Sequence, residues 1–298
     1  MLQLDPADAA AHGALGHKKR GSGWGLPLGS RTVGWDQRLG LAEDWGSAWE
    51  FSTFHYRLRS NLPFATTLDV VLDLERLLLA LDRLLGHELE LADVSRPMTV
   101  CLHADAASYP EAGGEAGGYR PDVDEVRIDA SSGFSFATLA HELTHQWLQD
   151  AFFQRKGEGQ VPAWLDEGLA EYVSASVAAW PDLRFEPGRP HPLHFRAQAN
   201  AKDPYDLTRV LSFSTGDYYA STDRDLKYAQ SYTLVHYLLH GGEDGLAEGA
   251  PRWRAGFLDY LRLVVRGKGS STDLKRCLGT DWRALESGWK AYVRARAS

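Results

Sequence analysis

The chain has 298 residues, of which 44% are hydrophobic, and a formal net charge of −8, so it can bury one large core or two smaller ones. The acidic balance and the lack of a basic stripe argue against a nucleic-acid partner. The longest apolar segment, residues 68–86, is interrupted by charged side chains, which excludes a membrane span and predicts an amphipathic helix.

Residues 1–48 are rich in Gly and Ala and are predicted to form an N-terminal extension. Within it, residues 4–16, LDPADAAAHGALG, resemble the junction between two tetratricopeptide repeats, where Asp-Pro starts the next helix. One junction cannot stack into a solenoid, so either the match is accidental or the chain is the end of a longer protein. Because the N-terminus has no apolar signal core, we expect a cytoplasmic protein, or an exported one if the N-terminus is incomplete.

The next segment, residues 49–133, is predicted to be an α/β subdomain. Alternation of apolar and polar residues or a high content of β-formers predicts strands at 51–61, 97–104 and 124–130. A helix is expected to begin at a Thr66 or Thr67 cap and to end at Gly86. The Gly-rich residues 111–122 are predicted to be a flexible loop.

The remaining subdomain, residues 134–298, is predicted to be mostly helical, with helices near 134–152, 162–179, 224–240, 252–266 and 281–296. Residues 180–223 contain five Pro and little periodicity, so they are predicted to be a long wrapping loop. The fold class is therefore α+β, a small twisted mixed β-sheet followed by a mostly helical lobe, within one domain over 49–298.

The segment FSFATLAHELTHQWLQD, residues 134–150, places ionisable groups on an otherwise apolar helix. His141 and His145 are four residues apart, so both rings leave the same helix face about one turn apart and can reach one Zn²⁺. Glu142 lies beside the first His, where it can address a metal-bound water without binding the metal. A helix with two solvent-facing His would give the same pattern without a metal.

A third ligand is expected in VPAWLDEGLAEYVSASV, residues 161–177, which is predicted to be a helix. Glu167 follows His145 by 22 residues, an interval that suits a turn and a second antiparallel helix crossing the first. Glu171, one turn further on, is placed to accept a hydrogen bond from the far nitrogen of a ligating His. Asp166 points about 100° away from Glu167 on the helix and is assigned to dipole stabilisation in the first turn.

The combination of HELTHQW and WLDEGLAEYV resembles the gluzincin metallopeptidases, in particular the bacterial peptidase-MA-like families, which are related to the zinc aminopeptidase catalytic domain. The resemblance implies a zincin-like metalloprotease fold and one Zn²⁺ as cofactor. It also implies that His141, His145 and Glu167 are the zinc ligands and that Glu142 is the general base of peptide hydrolysis.

A second match lies in KYAQSYTLVHYLLHGG, residues 227–242. The aminopeptidases of this clan have a Tyr that stabilises the oxyanion at the start of a Y-x-x-G helix, and Tyr228 holds that position although Ser231 replaces the Gly. A phenol hydroxyl can donate to the tetrahedral oxygen without being charged. The alternative is that Tyr228 and Tyr232 are both core aromatics of an amphipathic helix.

Other candidate residues carry weaker signals. His191 and His194 lie in the Pro-rich segment and could approach the cleft, although surface or structural roles are favoured. Cys101 and Cys277 are expected to be reduced thiols rather than a bridge. The edge strand at residues 124–130 is expected, by the clan resemblance, to pair with an extended substrate.

The chain lacks the G-x-M-E-N segment with which the clan's aminopeptidases bind a free amine, because its only Met residues are Met1 and Met98. We therefore expect a zinc metallopeptidase that acts on peptides or proteins in an endopeptidase-like manner. The alternatives are a catalytically inactive zinc-binding domain used for protein binding, an aminopeptidase, and a zinc hydrolase of other substrates. The sequence does not predict the substrate or the oligomeric state.

Overall fold

The computed structural model describes residues 9–14, 16–21, 23–28, 31–34, 44–91, 94, 96–110, 116–153, 161–180, 183–220, 222–241 and 250–297. Near the N-terminus it has a short helix, α1 (Ala9–Ala14), and three antiparallel strands, β1 (Lys18–Arg20), β2 (Gly23–Leu28) and β3 (Arg31–Gly34). The Asp-Pro of the repeat-like junction lies outside the described residues, and the chain that follows α1 forms strands instead of a second helix.

A five-stranded mixed sheet follows, formed by β4 (Trp49–Ser52), β5 (Tyr56–Ser60), β6 (Met98–His103), β7 (Gly117–Arg120) and β8 (Glu125–Asp129). The strand order is β4-β5-β6-β8-β7. The three central strands are parallel to one another, and the two edge strands are antiparallel to their neighbours. Val100, Leu102, Val126 and Ile128 are buried, as expected for central strands covered by helices.

Two strand predictions are wrong in detail. Residues 51–61 form a hairpin and not one strand, because Thr53 turns the chain: its N–H donates to Tyr56 O at 2.9 Å, and its hydroxyl accepts from Tyr56 N at 3.1 Å. Residues 124–130 do form a strand, but β8 lies inside the sheet. The edge strand is β7, which comes from the Gly-rich segment predicted to be a flexible loop.

The first long helix, α2 (Phe64–Leu81), continues through a π-helical turn at Asp82–Gly86 and a last turn at His87–Leu89. Its N-cap is Pro63, so the predicted Thr cap is wrong. Thr67 is instead fully buried, and its hydroxyl bonds Ser60 Oγ at 2.9 Å. Gly86 does not end the helix, because it keeps right-handed helical dihedrals.

The helical lobe contains the helices α3 (Phe136–Phe153), α4 (Ala163–Ser176), α5 (Pro192–Asn200), α6 (Leu207–Leu211), α7 (Thr215–Tyr219), α8 (Arg224–His240), α9 (Ala250–Val264), α10 (Ser271–Leu278) and α11 (Trp282–Ala297). A short hairpin, β9 (Val177–Ala179) and β10 (Arg184–Phe185), follows α4. The α+β class, with a mixed sheet followed by a helical lobe, is confirmed. The predicted loop at 180–223 is wrong, since it contains β10 and three helices.

The helical lobe is built around α8, which is buried along most of its length between α4, α5 and α9. Helix α4 packs on both α3 and α8, which explains why hydrophobic residues cover most of its surface. A Cβ on Gly168 would meet Ser231 O at 2.7 Å, so this Gly sets the close approach of α4 to α8.

Within the described residues no helix is both long and apolar enough to cross a membrane. Cys101 and Cys277 are free thiols.

Candidate metal centre

Helices α3 and α4 bring three ligand atoms together at one point. His141 and His145, one turn apart on α3, face each other with their Nε2 atoms 3.1 Å apart. Glu167 arrives from the first half of α4, and its Oε2 atom lies 3.5 Å from Nε2 of each ring. The crossing of the two helices thus forms a compact set of two imidazoles and one carboxylate.

The spacing of these atoms fits a tetrahedral zinc ion. Ligands at about 2.1 Å from Zn²⁺ in tetrahedral geometry lie about 3.4 Å from one another. The three observed separations are 3.1, 3.5 and 3.5 Å. Two imidazoles and one carboxylate also match the ligand set of zinc sites that leave a fourth position open for catalysis.

The hydrogen bonds around the three residues leave their lone pairs directed inward. His141 Nδ1 lies 3.3 Å from a Glu171 oxygen, and His145 Nδ1 lies 2.9 Å from an Asp166 oxygen. Each carboxylate can only accept, so each ring donates its Nδ1–H, and a ring in its neutral form then has the Nε2 lone pair available for a metal. Glu167 Oε2 is buried without a hydrogen-bond partner among the described residues. A buried carboxylate oxygen this close to two imidazole nitrogens favours a positive charge at this point, which a metal ion or protons on the rings can supply.

The pKa values of the metal-free protein reflect the same crowding. Burial lowers the pKa of His141, but the Glu167 and Glu171 carboxylates outweigh burial and raise it to about 9. For His145, burial is likewise outweighed, chiefly by Asp166, and its pKa lies well above the usual value. Burial raises the pKa of Glu167, yet the two rings bring it down to about 2. Without a metal, protons therefore supply the positive charge that the carboxylates need.

Sequence reasoning placed Glu171 beside a ligating His, and the structure puts it against His141. The sequence prediction did not give Asp166 a role at a ligating His. Asp166 contacts His145 Nδ1 at 2.9 Å and does not only stabilise the helix dipole. The 100° separation on α4 misled the prediction, because the two nitrogens of His145 contact the two residues separately, Nδ1 with Asp166 at 2.9 Å and Nε2 with Glu167 at 3.5 Å. A carboxylate directly before the third ligand was the available signal.

Glu142 lies at the centre of the cleft in front of the ligand set. It is on α3, and its Oε2 accepts the backbone N–H of Tyr119 on β7 at 2.9 Å. A Cβ on Gly117 would meet the terminal methyl of Ile128 on β8 at 2.7 Å and would contact Glu142 at 3.4 Å, so a larger residue here would have to displace the Ile128 side chain. Gly117 therefore allows β7 to lie close to β8 at the point where the strand passes Glu142.

The two tyrosines of α8 have different surroundings. Tyr228 is half-buried, lines the cleft, and has its ring centroid 6.2 Å from that of His141. Burial raises the pKa of Tyr228, so its hydroxyl remains a neutral donor. Tyr232 is fully buried, and its hydroxyl accepts His191 N at 2.8 Å and reaches Arg189 O at 3.3 Å. Tyr232 thus holds the segment before α5, whereas Tyr228 faces the candidate site.

The cleft extends to both sides of the ligand set. A larger cavity of about 930 Å³ lies beside His141, and a smaller one of about 350 Å³ lies beside His145. Gly117, Glu142 and Arg224 line both cavities, so the two join in front of the site.

The structure brings His191 and His194 to the wall of the larger cavity, although surface or structural roles were favoured for them. His194 Nε2 bonds Glu171 Oε2 at 2.9 Å, so Glu171 joins α5 to the ring of His141. His191 and His194 lie close together, with ring centroids 4.6 Å apart. Their positions depend on the packing of α5 on α8, which sequence periodicity did not reveal.

Residues 135–250 match a family described as "Protein of unknown function (DUF1570)". The matched range includes the three candidate ligands, Glu142 and Tyr228. No curated protein matches the chain.

Proposed function

We propose that the chain is a zinc-dependent metallopeptidase that cleaves peptide bonds within a chain. The observation that supports this most strongly is the convergence of His141, His145 and Glu167 at the separations of zinc ligands, with Glu142 lining the cleft beside them. The fold of a small mixed sheet followed by a helical lobe agrees with the resemblance to gluzincins.

In the proposed site, His141, His145 and Glu167 hold the ion, while Asp166 and Glu171 fix the two rings in the ligating tautomer. A bound zinc ion supplies a Lewis acid that acidifies water and polarises the scissile carbonyl.

Glu142 acts as the base and then the acid of the reaction. Its carboxylate takes a proton from the attacking water and delivers it to the leaving amine. The hydrogen bond from Tyr119 N fixes one carboxylate oxygen, which leaves the other directed at the cleft. A general base must reach both the attacking water and the leaving amine, and this orientation allows Glu142 to reach both.

Tyr228 donates a hydrogen bond to the carbonyl oxygen as negative charge develops on it. The raised pKa keeps the phenol protonated, so the donor is present throughout the reaction. The Arg224 guanidinium lies 5.6 Å from the centroid of the Tyr228 ring and restricts its movement.

The substrate backbone is proposed to pair with β7, the free edge of the sheet. Tyr119 N points away from β8 and already donates to Glu142, and strand periodicity directs the backbone N–H and C=O of Gly117 to the same side, where a peptide can pair with them. An extended peptide can therefore add to this edge across the front of the ligand set. Because the cleft continues past the site at both ends of β7, an internal bond of the peptide can reach the ligand set, which favours endopeptidase action over aminopeptidase action.

The proposal is tested with Glu142→Gln and the matched control Glu186→Gln, which changes a partly exposed carboxylate outside both cavities. Zinc-loaded wild type is expected to cleave members of a mixed peptide library. Glu142→Gln should lose at least ~10²–10⁴-fold in rate with unchanged zinc content, and the control should retain activity. Full activity of Glu142→Gln would refute the mechanism, and no cleavage by wild type would refute the peptidase assignment.

A further inference from the structure

We infer that the larger cavity recognises a carboxylate of the substrate, so that the enzyme prefers peptides with an acidic group at one fixed distance from the cut. This inference rests on the proposed peptidase function and assigns Arg196 as the residue that determines specificity. Its basis is the orientation of α5 and the charges that face the cavity.

Helix α5 presents one face to the cavity and buries the other. Leu193, Arg196, Ala197 and Asn200 line the cavity at the spacing of a single helix face. On the opposite face Phe195 is fully buried, with its ring centroid 5.4 Å from that of His236 on α8. The buried face fixes the rotation of α5, so Arg196 is held toward the cavity.

The other ionisable groups on the cavity wall mostly have partners already. Glu171 accepts from both His141 and His194, and Glu142 accepts from Tyr119 N. The Arg224 guanidinium lies over the Tyr228 ring, 5.6 Å from its centroid. Among the described residues, Arg196 makes neither an ion pair nor a hydrogen bond.

An unpaired guanidinium on a cleft wall favours a carboxylate, which it can bind through two parallel hydrogen bonds. Asn200 lies one turn further along the same face and offers an amide donor. Two acids oppose this preference, since Glu142 and Asp225 also line the cavity and would favour a cationic group. The carboxylate could belong to an Asp or Glu side chain or to the free C-terminus of a peptide.

The test uses quenched fluorescent peptides of one sequence in which a single position is Glu, Gln or Lys, each made with a free and an amidated C-terminus. At one position, kcat/KM is expected to be roughly tenfold higher for Glu than for Gln, and lower still for Lys. If the cavity binds the C-terminal carboxylate instead, peptides with a free C-terminus should have a higher kcat/KM than their amidated forms. The cleaved bond should then lie at a fixed distance from the C-terminus.

Arg196→Glu should reverse the preference, so that Lys is cleaved faster than Glu, with zinc content unchanged. Lys202→Glu is the matched control, because Lys202 is exposed just beyond α5 and does not line the cavity; it should keep the wild-type preference. Equal rates for Glu, Gln and Lys, or a Glu preference that survives Arg196→Glu, would overturn the inference.

A binding measurement separates this inference from the peptidase proposal. Zinc-loaded Glu142→Gln should bind the Glu peptide more tightly than the Lys peptide by calorimetry, and adding Arg196→Glu should abolish the difference. If wild type cuts no peptide but this difference is found, only the peptidase proposal fails. If the affinities are equal, the carboxylate site is wrong whether or not peptides are cut.

Discussion

At the residue scale, the two carboxylates that contact the far nitrogens of His141 and His145 support a metal site as much as the candidate ligands do. Asp166 and Glu171 each accept from the Nδ1 of a different ring, at 2.9 and 3.3 Å. They come from α4, the helix that also carries Glu167, so one helix supplies a ligand and fixes the other two. Such partners are typical of ligating His residues, because they fix the tautomer and the orientation of the ring.

Asp166→Asn and Glu171→Gln should therefore weaken zinc binding without removing a ligand. A loss of about 10–100-fold in affinity is expected for each, because the amide accepts more weakly and can stabilise the wrong tautomer. Competition with a fluorescent chelator measures the change, and Asp203→Asn, an exposed carboxylate, is the control. Wild-type affinity in both variants would mean that these carboxylates do not orient the rings.

The metal-free protein should show a characteristic pH dependence. The pKa of His141 is raised from its ordinary value of 6.5 to about 9, so its contribution to stability is complete below pH 6.5 and is lost as the pH rises through 9. The pKa of Glu167 is lowered from 4.5 to about 2, so its contribution is complete above pH 4.5 and is lost as the pH falls through 2.

Urea unfolding of EDTA-treated wild type and EDTA-treated His141→Gln measures this effect. The difference between their free energies of unfolding should be greatest between about pH 4.5 and 6.5 and should shrink toward pH 9. A difference that stays constant from pH 6.5 to 9 would show that His141 does not take up a proton in place of the metal.

At the element scale, the site depends on how closely α4 approaches α8. Gly168 follows Glu167 directly, and a Cβ there would meet Ser231 O at 2.7 Å and Val235 at 2.8 Å. Ser231 itself donates to or accepts from Tyr218 Oη at 2.5 Å, which fixes α7 against α8. Ser231 stands where the family that the sequence resembles has Gly, and its hydroxyl is directed toward Tyr218 on α7.

Gly168→Ala should push α4 away from α8 and displace Glu167. A loss of about 1–3 kcal/mol in the free energy of unfolding is expected from overpacking, together with weaker zinc binding. Gly216→Ala is the matched control, since its Cβ would meet only Ser214 Oγ at 3.7 Å. Thermal unfolding and zinc titration of both variants measure the changes in stability and in zinc affinity. A Gly168→Ala protein as stable as the control would contradict the packing argument.

Sequence reasoning located the elements that follow a strong periodic pattern and missed those fixed by neighbours. Helices α3, α4 and α8 were found within a few residues, because their apolar residues and the ligand spacing coincide. Strand β7 was missed because Gly-Gly has no β propensity, and its conformation comes from pairing with β8 beside Glu142. Helix α5 was missed because it buries only Phe195 and Gln198, which leaves no apolar stripe to detect.

At the scale of the whole molecule, the cleft forms where the sheet meets the helical lobe. Strand β7 supplies one wall, α3 lies across it, and α4, α5 and α8 close the opposite side. The candidate ligands come from α3 and α4, so a bound ion would add to the Asp166–His145 and Glu171–His141 contacts that already connect the two helices.

Removal of the metal should therefore lower the stability of the whole chain. Free zinc at about 1,000 times its Kd would stabilise the folded state by about 4 kcal/mol, which corresponds to several degrees in Tm. Calorimetry with zinc and with EDTA measures this shift, and His145→Ala should show almost none. A shift of the same size in His145→Ala would place the stabilising ion elsewhere.

The most direct measurement is the zinc content of purified protein after equilibration with zinc and removal of the excess, determined by mass spectrometry of the elements. One zinc per chain is predicted for the wild type, and a content near zero for His141→Ala, His145→Ala and Glu167→Ala, with each variant shown to be folded by circular dichroism. A folded wild type without zinc, or a full zinc content in the three variants, would contradict the account.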